Sequence, residues 1–154
     1  MLEKTLIILK PGTIQRALIG EIVSRFEKKG LLLVGMKMTW LTDEILNEHY
    51  AHLKDKPFFK RIKDFMTSSP VIVCCWKGKD AVQVVRLITG STNGRDALPG
   101  TIRGDYSMSV QENIVHASDS PEAAEIEIKR FFNAEELFDY DSVLMSNLYA
   151  PDEY

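Results

Sequence analysis

The sequence predicts a two-layer α/β sandwich, in which a four-stranded sheet carries helices packed against it. Four short apolar runs, at residues 5–9, 31–40, 71–76 and 113–117, have the length and composition of strands. Segments with apolar residues at helical spacing lie between these runs. The chain has 154 residues, 45% hydrophobic and 27% charged, and is long enough to bury a core without disulfides or metal. We therefore expect a single domain spanning residues 1–154.

The first strand and the helix after it have clear end signals. The run at residues 5–9 stops at Lys-Pro-Gly, residues 10–12, which favours a turn. Apolar residues then recur at helical spacing between residues 19 and 26, and Gly30 is placed as the residue that ends this helix. The alternating apolar residues of 31–40 predict the second strand.

Two helices and the third strand follow. Thr42 is placed to cap a helix that runs to Leu53. Pro57 fits the first turn of another helix, which ends near Met66. The apolar run at residues 71–76 then predicts the third strand.

The next helix leads into a long segment without periodicity. Asp80 is placed to cap a helix over residues 81–89, and Gly90 ends it. Residues 91–105 show no regular spacing of apolar residues, which predicts an ordered loop of unusual length. Long loops in small domains often carry function.

A last helix follows the fourth strand, since Ser120 and Pro121 have the residue types of an N-cap and a first helical position. It extends to Phe132, and the polar residues 139–154 predict an irregular segment on the surface. Four strands with helices between them fit either a ferredoxin-like split βαβ arrangement or a small doubly wound sheet. The pattern alone is compatible with both.

Composition excludes several classes of protein. The net charge is −3, with 19 basic and 22 acidic residues scattered along the chain. A nucleic-acid-binding domain is usually basic, so we expect no obligatory nucleic-acid partner. No run approaches the roughly 18 apolar residues of a membrane span. The adjacent Cys74 and Cys75 would point to opposite faces of a strand, which excludes a disulfide framework and predicts a cytoplasmic protein.

Common nucleotide-binding and hydrolase motifs are absent, including G-x-x-x-x-G-K-[ST], G-x-G-x-x-G, H-E-x-x-H and G-x-S-x-G. Any nucleotide chemistry must therefore use another phosphate cradle. His49 and His52 are spaced to share a metal ion, but no third ligand stands at a recognisable spacing. Two solvated helix histidines are the favoured interpretation.

His116 is placed differently, because it ends a strand just before a capped helix. The free N–H groups and the dipole of a helix N-terminus favour an anion such as phosphate. That environment also lowers the pKa of an imidazole and keeps it neutral and nucleophilic. A core histidine bonded to a backbone carbonyl is an equally supported alternative at this point.

Several cationic and aromatic side chains suit a nucleotide. Lys10, Arg86 and Arg103 could together hold a polyphosphate through charge-assisted hydrogen bonds. Each of them alone is more often a solvated surface charge. Phe58 and Phe59 offer a ring for stacking on a base, although adjacent aromatic residues more often belong to a core.

The segment NIVHASDS at residues 113–120 resembles the active-site signature of nucleoside diphosphate kinases. Further segments agree with the same family in order and spacing, and the resemblance spans residues 2–149. These segments are TLIILKP at 5–11, GEI at 20–22, RFE at 25–27, EHY at 48–50, KPFF at 56–59 and PGTIRGD at 99–105.

The resemblance implies a ferredoxin-like βαββαβ core with a four-stranded antiparallel sheet. It implies transfer of the γ-phosphate of a nucleoside triphosphate, mainly ATP, to a nucleoside diphosphate by a ping-pong mechanism, with Nδ1 of His116 phosphorylated in between. It also implies broad tolerance of bases and of ribose or deoxyribose. Mg²⁺ would be held by nucleotide phosphates and waters without protein metal ligands. The family forms homo-oligomers, so we expect a hexamer, with a tetramer as the alternative.

The resemblance also implies which residues contact the base and the sugar. Phe58 and Val110 would sandwich the base. Lys10 and Asn113 would bond the ribose hydroxyls. Tyr50 would lie near the transferred group, together with the lysine.

Other residues would act on the phosphates and on the active-site imidazole. Arg86 and Thr92 would hold the inner phosphates, and Arg103 the outer one. Glu127 would accept the imidazole N–H that is not phosphorylated, and Ser118 would bond the carboxylate of this glutamate.

The chain departs from the family pattern in a few places. Gly12-Thr13 and Gln111-Glu112 change the turn after the first strand and remove a positive charge near the nucleotide. Gly94 and the tail at residues 150–154 bear on the assembly of subunits. A non-catalytic nucleotide-binding module and a histidine-dependent metal hydrolase are the alternative functions at this point. The first would follow if Gly12-Thr13 disturbs Lys10, and the second lacks a convincing ligand set.

Overall fold

The computed structural model describes residues 1–153 and places the four predicted strands in one sheet. The strands are β1 (Leu2–Leu9), β2 (Leu32–Thr39), β3 (Val71–Lys79) and β4 (Val115–Ala117). Their order across the sheet is β2-β3-β1-β4, and every neighbouring pair is antiparallel. This is the ferredoxin-like arrangement, so the α+β fold class is confirmed. A doubly wound sheet is built mostly from parallel strands and is excluded.

The described residues form eight α-helices and two single 3₁₀ turns around the sheet. The helices are α1 (Pro11–Gln15), α2 (Ile19–Lys29), α3 (Asp43–His49), α4 (Phe59–Met66), α5 (Ala81–Thr89), α6 (Ile102–Tyr106), α7 (Pro121–Phe131) and α8 (Met145–Leu148), and the 3₁₀ turns are Ala51–Leu53 and Ala134–Glu136.

Alternate residues of β1 enter two apolar clusters, one on each face of the sheet. Ile7 and Leu9 pack with α2 and α5, whereas Leu6 and Ile8 pack with α3, α4 and α7. All four side chains are at most 1% exposed. Burial of each contributes roughly 1.5–3 kcal/mol. Because both faces are covered there, residues 6–9 of β1 form an unbroken apolar run, and the strand forms a rigid base for the loops at its end.

Three predicted helix ends are confirmed. Oγ1 of Thr42 accepts a hydrogen bond from Ile45 N at 3.3 Å, and Oγ of Ser120 accepts one from Ala123 N at 3.1 Å. Gly30 ends α2 with a φ of 101°, a left-handed conformation that glycine adopts at little cost. Each of these ends depends on chemistry within a few residues, so the local sequence is sufficient to find it.

Three other local predictions are wrong. Residues 10–12 lead into α1 rather than a turn, because their proline occupies the first helical position, where its missing N–H costs nothing. The helix capped by Thr42 ends at His49 and gives way to a 3₁₀ turn. The following helix begins at Phe59, after Pro57 rather than on it.

Asp80 does not cap α5 as predicted. Its backbone is left-handed, with a φ of 51°, and its side chain makes no capping hydrogen bond. The carboxylate of Glu3 on β1 acts instead and accepts a hydrogen bond from Val82 N at 2.9 Å. The partner is remote in sequence, so no local pattern indicates it.

The predicted loop before the fourth strand is wrong over its last residues, which form α6. Oγ1 of Thr101 caps this helix by accepting from Gly104 N at 3.0 Å. Arg25 of α2 binds the same region, because Nη1 donates to Gly100 O at 2.9 Å and Nη2 to Asp105 Oδ2 at 2.7 Å. The segment that carries Arg103 is therefore attached to the body of the domain.

Arg25→Ala is expected to lower the free energy of unfolding by about 1–3 kcal/mol, because hydrogen bonds to a charged group are lost and Asp105 loses its cation. Denaturant unfolding followed by circular dichroism measures this change. The exposed Arg61 provides the control, since Arg61→Ala should change stability by less than about 0.5 kcal/mol. Equal losses in the two variants would contradict a specific role for Arg25.

The C-terminal segment lies on the surface as predicted but includes α8. The Tyr140 hydroxyl donates to Leu33 O, and Lys79 N donates to the Tyr149 hydroxyl at 3.3 Å. Tyr154, the last residue of the predicted segment and of the predicted domain, lies outside the described residues. Residues 1–153 contain no helix of the length and hydropathy needed to span a membrane.

Candidate active site

A cavity of about 440 Å³ opens where β1 and β4 end, beside the first turn of α7. It brings together most of the residues predicted from the sequence, although they come from six separate parts of the chain. A larger cavity of about 710 Å³ adjoins it and shares Arg86 and Asp119, but it contains no histidine. The lining of the smaller cavity includes Lys10, His49, Tyr50, Arg86, Thr92, Arg103, Asn113, His116, Glu127 and Arg130.

His116 is positioned by the sheet and oriented by a helix. It lies on β4 opposite Ile8 of β1, and 20% of its side chain is exposed. Its Nε2 forms a short hydrogen bond with Oε2 of Glu127, a buried residue of α7. An ionised carboxylate can only accept a hydrogen bond, so the proton of a neutral imidazole paired with it belongs on Nε2. The alternative of a histidine bonded to a backbone carbonyl is wrong, and Nδ1 keeps its lone pair.

Arg103 is a buried cation with unused donors. Nε donates to Asn113 O at 3.2 Å, Nη1 to Gly90 O at 2.9 Å and Nη2 to Val115 O at 2.7 Å. A guanidinium carries five N–H donors, so two remain for a ligand. Burial, and to a lesser degree the charge of Arg86, lowers the pKa of Arg103 to about 10, so it stays charged at neutral pH.

Lys10 and Asn113 form a hydrogen-bonded pair. Nζ of Lys10 donates to Asn113 Oδ1 at 2.7 Å and to Gln111 O at 3.2 Å. Nδ2 of Asn113 donates to Val110 O at 2.8 Å and to Thr92 O at 3.0 Å. Burial and the charge of Arg103 lower the pKa of Lys10 to about 7. The pair links the loop before β4 to the end of β1. With this pKa, Lys10 is only partly protonated at neutral pH.

Arg86 has a partner that the sequence reasoning missed. Its Nη1 donates to Oδ1 of Asp119 at 2.6 Å, and the two side chains are 43% and 81% exposed. Exposed ion pairs contribute about 0–1 kcal/mol, so a phosphate can replace the carboxylate at little cost. The signal for Asp119 was its position just before the cap of α7.

One predicted residue has other partners than the resemblance implied, and two lie outside the lining of this cavity. Oγ of Ser118 bonds the backbone of Leu6, accepting from its N at 3.2 Å and donating to its O at 3.4 Å, so it does not bond Glu127. Phe58 is half-buried and stands outside the lining of the cavity. Val110 is 45% exposed and lines a separate cleft with Arg61.

His49 is a residue of this site, and its interpretation as a solvated histidine is wrong. It is 7% exposed and its ring lies 4.6 Å from the ring of His116, at an angle of 82°. Nη1 of Arg130 donates to its Nδ1 at 3.0 Å. The signal in the sequence was its spacing from Leu46, because the two residues share the buried face of α3.

His49, His116 and Glu127 are the described residues that come close enough together to hold a metal ion, with their ligand atoms within 4.8 Å of one another. The surroundings do not suit a free cation. Arg130 already occupies the lone pair of His49 Nδ1, and Lys10 also faces the cavity. The three residues are better described as a hydrogen-bonded group, which removes the support for a metal hydrolase.

The arrangement suits transfer of a phosphoryl group. The imidazole of His116 lines a cavity that also holds Arg86 and Arg103, and cations disperse the charge of a phosphate in transit. The N-terminus of α7 adds a favourable potential for anions. A carboxylate behind the imidazole stabilises the positive charge that the ring gains on attack.

Comparisons with known proteins agree with this chemistry. Residues 3–137 match the family described as Nucleoside diphosphate kinase. The chain is 73% identical to the nucleoside diphosphate kinase of Parabacteroides distasonis, over 99% of this chain and 100% of that one. It is 53% identical to the enzyme of Pyrococcus horikoshii, over 90% of each chain. The structure of a halophilic nucleoside diphosphate kinase from Halobacterium salinarum in complex with CDP matches with a TM-score of 0.94 and 44% identity, over 97% of this chain and 99% of that one.

Proposed function

Because this chain belongs to the nucleoside diphosphate kinase family, we propose that His116 carries the phosphoryl group between its two nucleotide substrates. The chain is an enzyme that transfers the γ-phosphate of a nucleoside triphosphate to a nucleoside diphosphate, and the family does so by a ping-pong mechanism through a phosphohistidine. The observation that supports His116 is its Nε2 bond to Glu127 at the wall of a cationic cavity. That bond leaves Nδ1 as the nucleophile.

The reaction runs in two balanced half-steps at Nδ1. The lone pair of Nδ1 attacks the γ-phosphorus, the bond from phosphorus to the β-phosphate oxygen breaks, and the nucleoside diphosphate leaves with that electron pair. The terminal oxygen of a second nucleoside diphosphate then attacks the phosphohistidine, and the P–N bond breaks. Glu127 keeps the proton on Nε2 in both steps, because its carboxylate accepts there throughout.

The cations of the cavity are assigned to the phosphates. Arg103 offers its two unused N–H donors to the outer phosphate, and Arg86 exchanges Asp119 for an inner phosphate beside Thr92. Loose phosphoryl transfer depends mainly on such positioning and charge neutralisation. Tyr50 lies in the same wall, and burial raises the pKa of its hydroxyl to about 12, so it acts as a neutral donor.

The nucleoside is assigned to the outer part of the site. Lys10 and Asn113 are the polar groups for the ribose, and Phe58 and Val110 are the apolar surfaces for the base. These last two stand outside the cavity lining, so the base would extend beyond the cavity. Stacking tolerates every base, which supports broad specificity.

Kinases of this family are nucleotide-binding enzymes that generally use a divalent metal, and we propose Mg²⁺. The residues present fit a metal that arrives on the nucleotide. Lys10, Arg86 and Arg103 would repel a free cation, and exposed Asp119 is the carboxylate at the rim that can bond metal-bound water. When bound, Mg²⁺ neutralises phosphate charge. The protein's own residues still bind and orient the phosphates.

The test is to incubate the protein with γ-labelled ATP and Mg²⁺. Label should enter the protein in an acid-labile, alkali-stable form, appear in the peptide containing His116, and move to added nucleoside diphosphate. Absence of label in the wild type would reject the proposal, as would label on another residue. Nucleotide binding without turnover would favour the non-catalytic module instead.

Nucleotide binding at pH 8 is expected to add a proton to Lys10. With a pKa of about 7 the free lysine is mostly neutral at pH 8, and a nearby phosphate raises that pKa. Calorimetry in buffers of different ionisation enthalpy measures the protons taken up. At pH 8 the wild type should take up as much as one proton more than the Lys10→Met variant. At pH 6 the two proteins should take up the same number of protons. Equal uptake by the two proteins at pH 8 would contradict this assignment.

We also propose that the whole chain is one domain and that the protein is a cytoplasmic homo-oligomer, a hexamer or a tetramer. Cys74 and Cys75 are free and buried, and burial raises the pKa of each thiol to about 12, which suits a reducing compartment. The exposed side chains of Met38, Trp40 and Val143 favour burial against other subunits. Light scattering should give four or six times the mass of one chain, and a monomer mass would overturn the oligomer.

A further inference from the structure

His49 is buried in the wall of the active site but has no part in the roles assigned above. Its side chain is 3% exposed. Its ring makes edge-on contacts with the rings of Tyr50, His116 and Phe131, at centroid distances of 4.7, 4.6 and 5.1 Å. Such contacts contribute about 0.5–1.5 kcal/mol each beyond the area they bury. A buried polar ring in contact with the nucleophile requires an explanation.

Arg130 determines the protonation of His49. Its guanidinium has donors only, and Nη1 donates to Nδ1 of His49 at 3.0 Å. Nδ1 is therefore an acceptor, and the proton of the neutral ring lies on Nε2. Arg130 is held in turn by Glu48, whose Oε1 accepts from Nε at 3.0 Å. Burial, and then the proximity of a second imidazole at His116, lower the pKa of His49 to about 2, so the ring stays neutral.

This protonation state affects Glu127. Oε2 of Glu127 is 3.6 Å from Nδ1 of His49 and also bonds Nε2 of His116. A proton on Nδ1 of His49 would compete for that oxygen. Because Arg130 occupies Nδ1, His116 is the histidine that donates to the carboxylate. The two imidazoles thus have separate partners, although they share one carboxylate as a neighbour.

His49 also has a hydrogen-bond donor that no described residue uses. Nε2 is buried and has no hydrogen-bond partner among residues 1–153. An unpaired buried donor costs about 1–3 kcal/mol. A leucine at this position would carry no such donor, so stability alone does not account for the ring. Its edge against His116 is the contact that a leucine would lack.

We propose that His49 is a positioning residue for His116. Arg130 keeps the proton of His49 on Nε2, so the ring of His49 holds the imidazole of His116 in place and leaves Glu127 free to accept a hydrogen bond from that imidazole. The inference rests on the proposed function of His116. Glu127 sets the tautomer of His116 through Nε2, and His49 sets the direction of the ring through its face-to-edge contact. Together they keep Nδ1 of His116 directed to the phosphate during both half-steps.

Two substitutions separate the two parts of this role. His49→Asn keeps a side-chain acceptor near the position of Nδ1 for Arg130 but removes the ring edge that contacts His116. His49→Phe keeps the ring edge but leaves Nη1 of Arg130 without its acceptor. Val71→Ala is the control for lost stability, because Val71 is fully buried in the same apolar cluster as Phe131 but does not line the cavity.

Both variants are expected to form phosphoenzyme about 10–100-fold more slowly at saturating ATP, by analogy with the loss seen when a partner that orients a metal-binding histidine is removed. Their dissociation constants for nucleoside diphosphate should stay within two-fold of the wild type. Val71→Ala should keep the wild-type rate. Phosphorylation rates within two-fold of the wild type in both His49 variants would overturn the proposal, and so would a loss that follows nucleotide affinity or stability instead.

Nitrogen-15 NMR of the wild-type imidazoles tests the proposal without a variant, in case the variants do not fold. His49 should show a proton on Nε2 and no titration between pH 5 and 8. Titration in that range, or a proton on Nδ1, would overturn the proposal. Failure of the wild type to accept label would reject the function of His116 itself, so the two failures are distinguishable.

Discussion

His116→Gln is expected to abolish phosphoryl transfer. The amide of glutamine can still bond Glu127, but it has no nucleophilic nitrogen to form the P–N bond. Removal of an attacking group from other enzymes costs about 10⁶-fold in rate, so a loss of at least about 10⁴-fold is expected here. The measurement is the exchange rate between ATP and a nucleoside diphosphate, together with phosphoenzyme formation from labelled ATP.

The same variant should still bind nucleotide, because Lys10, Arg86 and Arg103 are unchanged. Its dissociation constant for nucleoside diphosphate is expected to stay within about three-fold of the wild type, a difference of roughly 0.7 kcal/mol. Retained exchange activity in His116→Gln would show that another residue carries the phosphoryl group. Lost nucleotide binding would show instead that the substitution has damaged the cavity.

Glu127→Gln is expected to produce the second largest loss, about 10²–10⁴-fold in the rate of phosphoenzyme formation. The amide can present its NH₂ group to Nε2 of His116, which would force the ring proton onto Nδ1, the attacking nitrogen. Even when the amide oxygen faces Nε2, a neutral group does not stabilise the positive charge that the ring gains. Rapid-mixing kinetics at saturating ATP measures the rate, and nitrogen-15 NMR measures the position of the ring proton.

Glu125→Gln provides the matched control for this substitution. Glu125 lies on the same helix, is exposed and pairs with Lys129 at 2.7 Å. Its substitution removes the same charge from α7 without touching the imidazole, and the rate should stay within two-fold of the wild type. If the two variants lose activity equally, the net charge of the helix would explain the loss, and the bond to His116 would not.

The successful predictions depend on residues that lie within a few positions of each other in the chain. The unbroken apolar run of β1, the glycine after α2 and the Ser120-Pro121 start of α7 each act locally, so their patterns are visible in the sequence. The motif around His116 combines a strand end with a helix N-terminus over a few residues. The two-layer α/β class could therefore be predicted from the pattern, whereas the ferredoxin-like topology and the phosphohistidine chemistry were implied by the resemblance to nucleoside diphosphate kinases.

The failures share a different cause. Glu3 rather than Asp80 caps α5 because antiparallel pairing of β1 with β3 brings residue 3 to the start of that helix. Ser118 bonds Leu6 rather than Glu127 because β1 passes directly beside the end of β4. Strand register sets both contacts, and register joins residues that are far apart in the chain.

The amino-acid sequence by itself determined a two-layer α/β fold with four strands, the place of His116 at the end of the fourth strand and the cations available to bind phosphate, and the family resemblance selected the ferredoxin-like topology. Only the tertiary structure decided which proton each imidazole carries, because Glu127 and Arg130 of α7 reach His116 of β4 and His49 of α3 across the sheet's end. A tautomer depends on the partner within about 3 Å of each ring nitrogen. The packing of the helices determines which partner that is, and the spacing of residues along a single segment does not predict how helices pack.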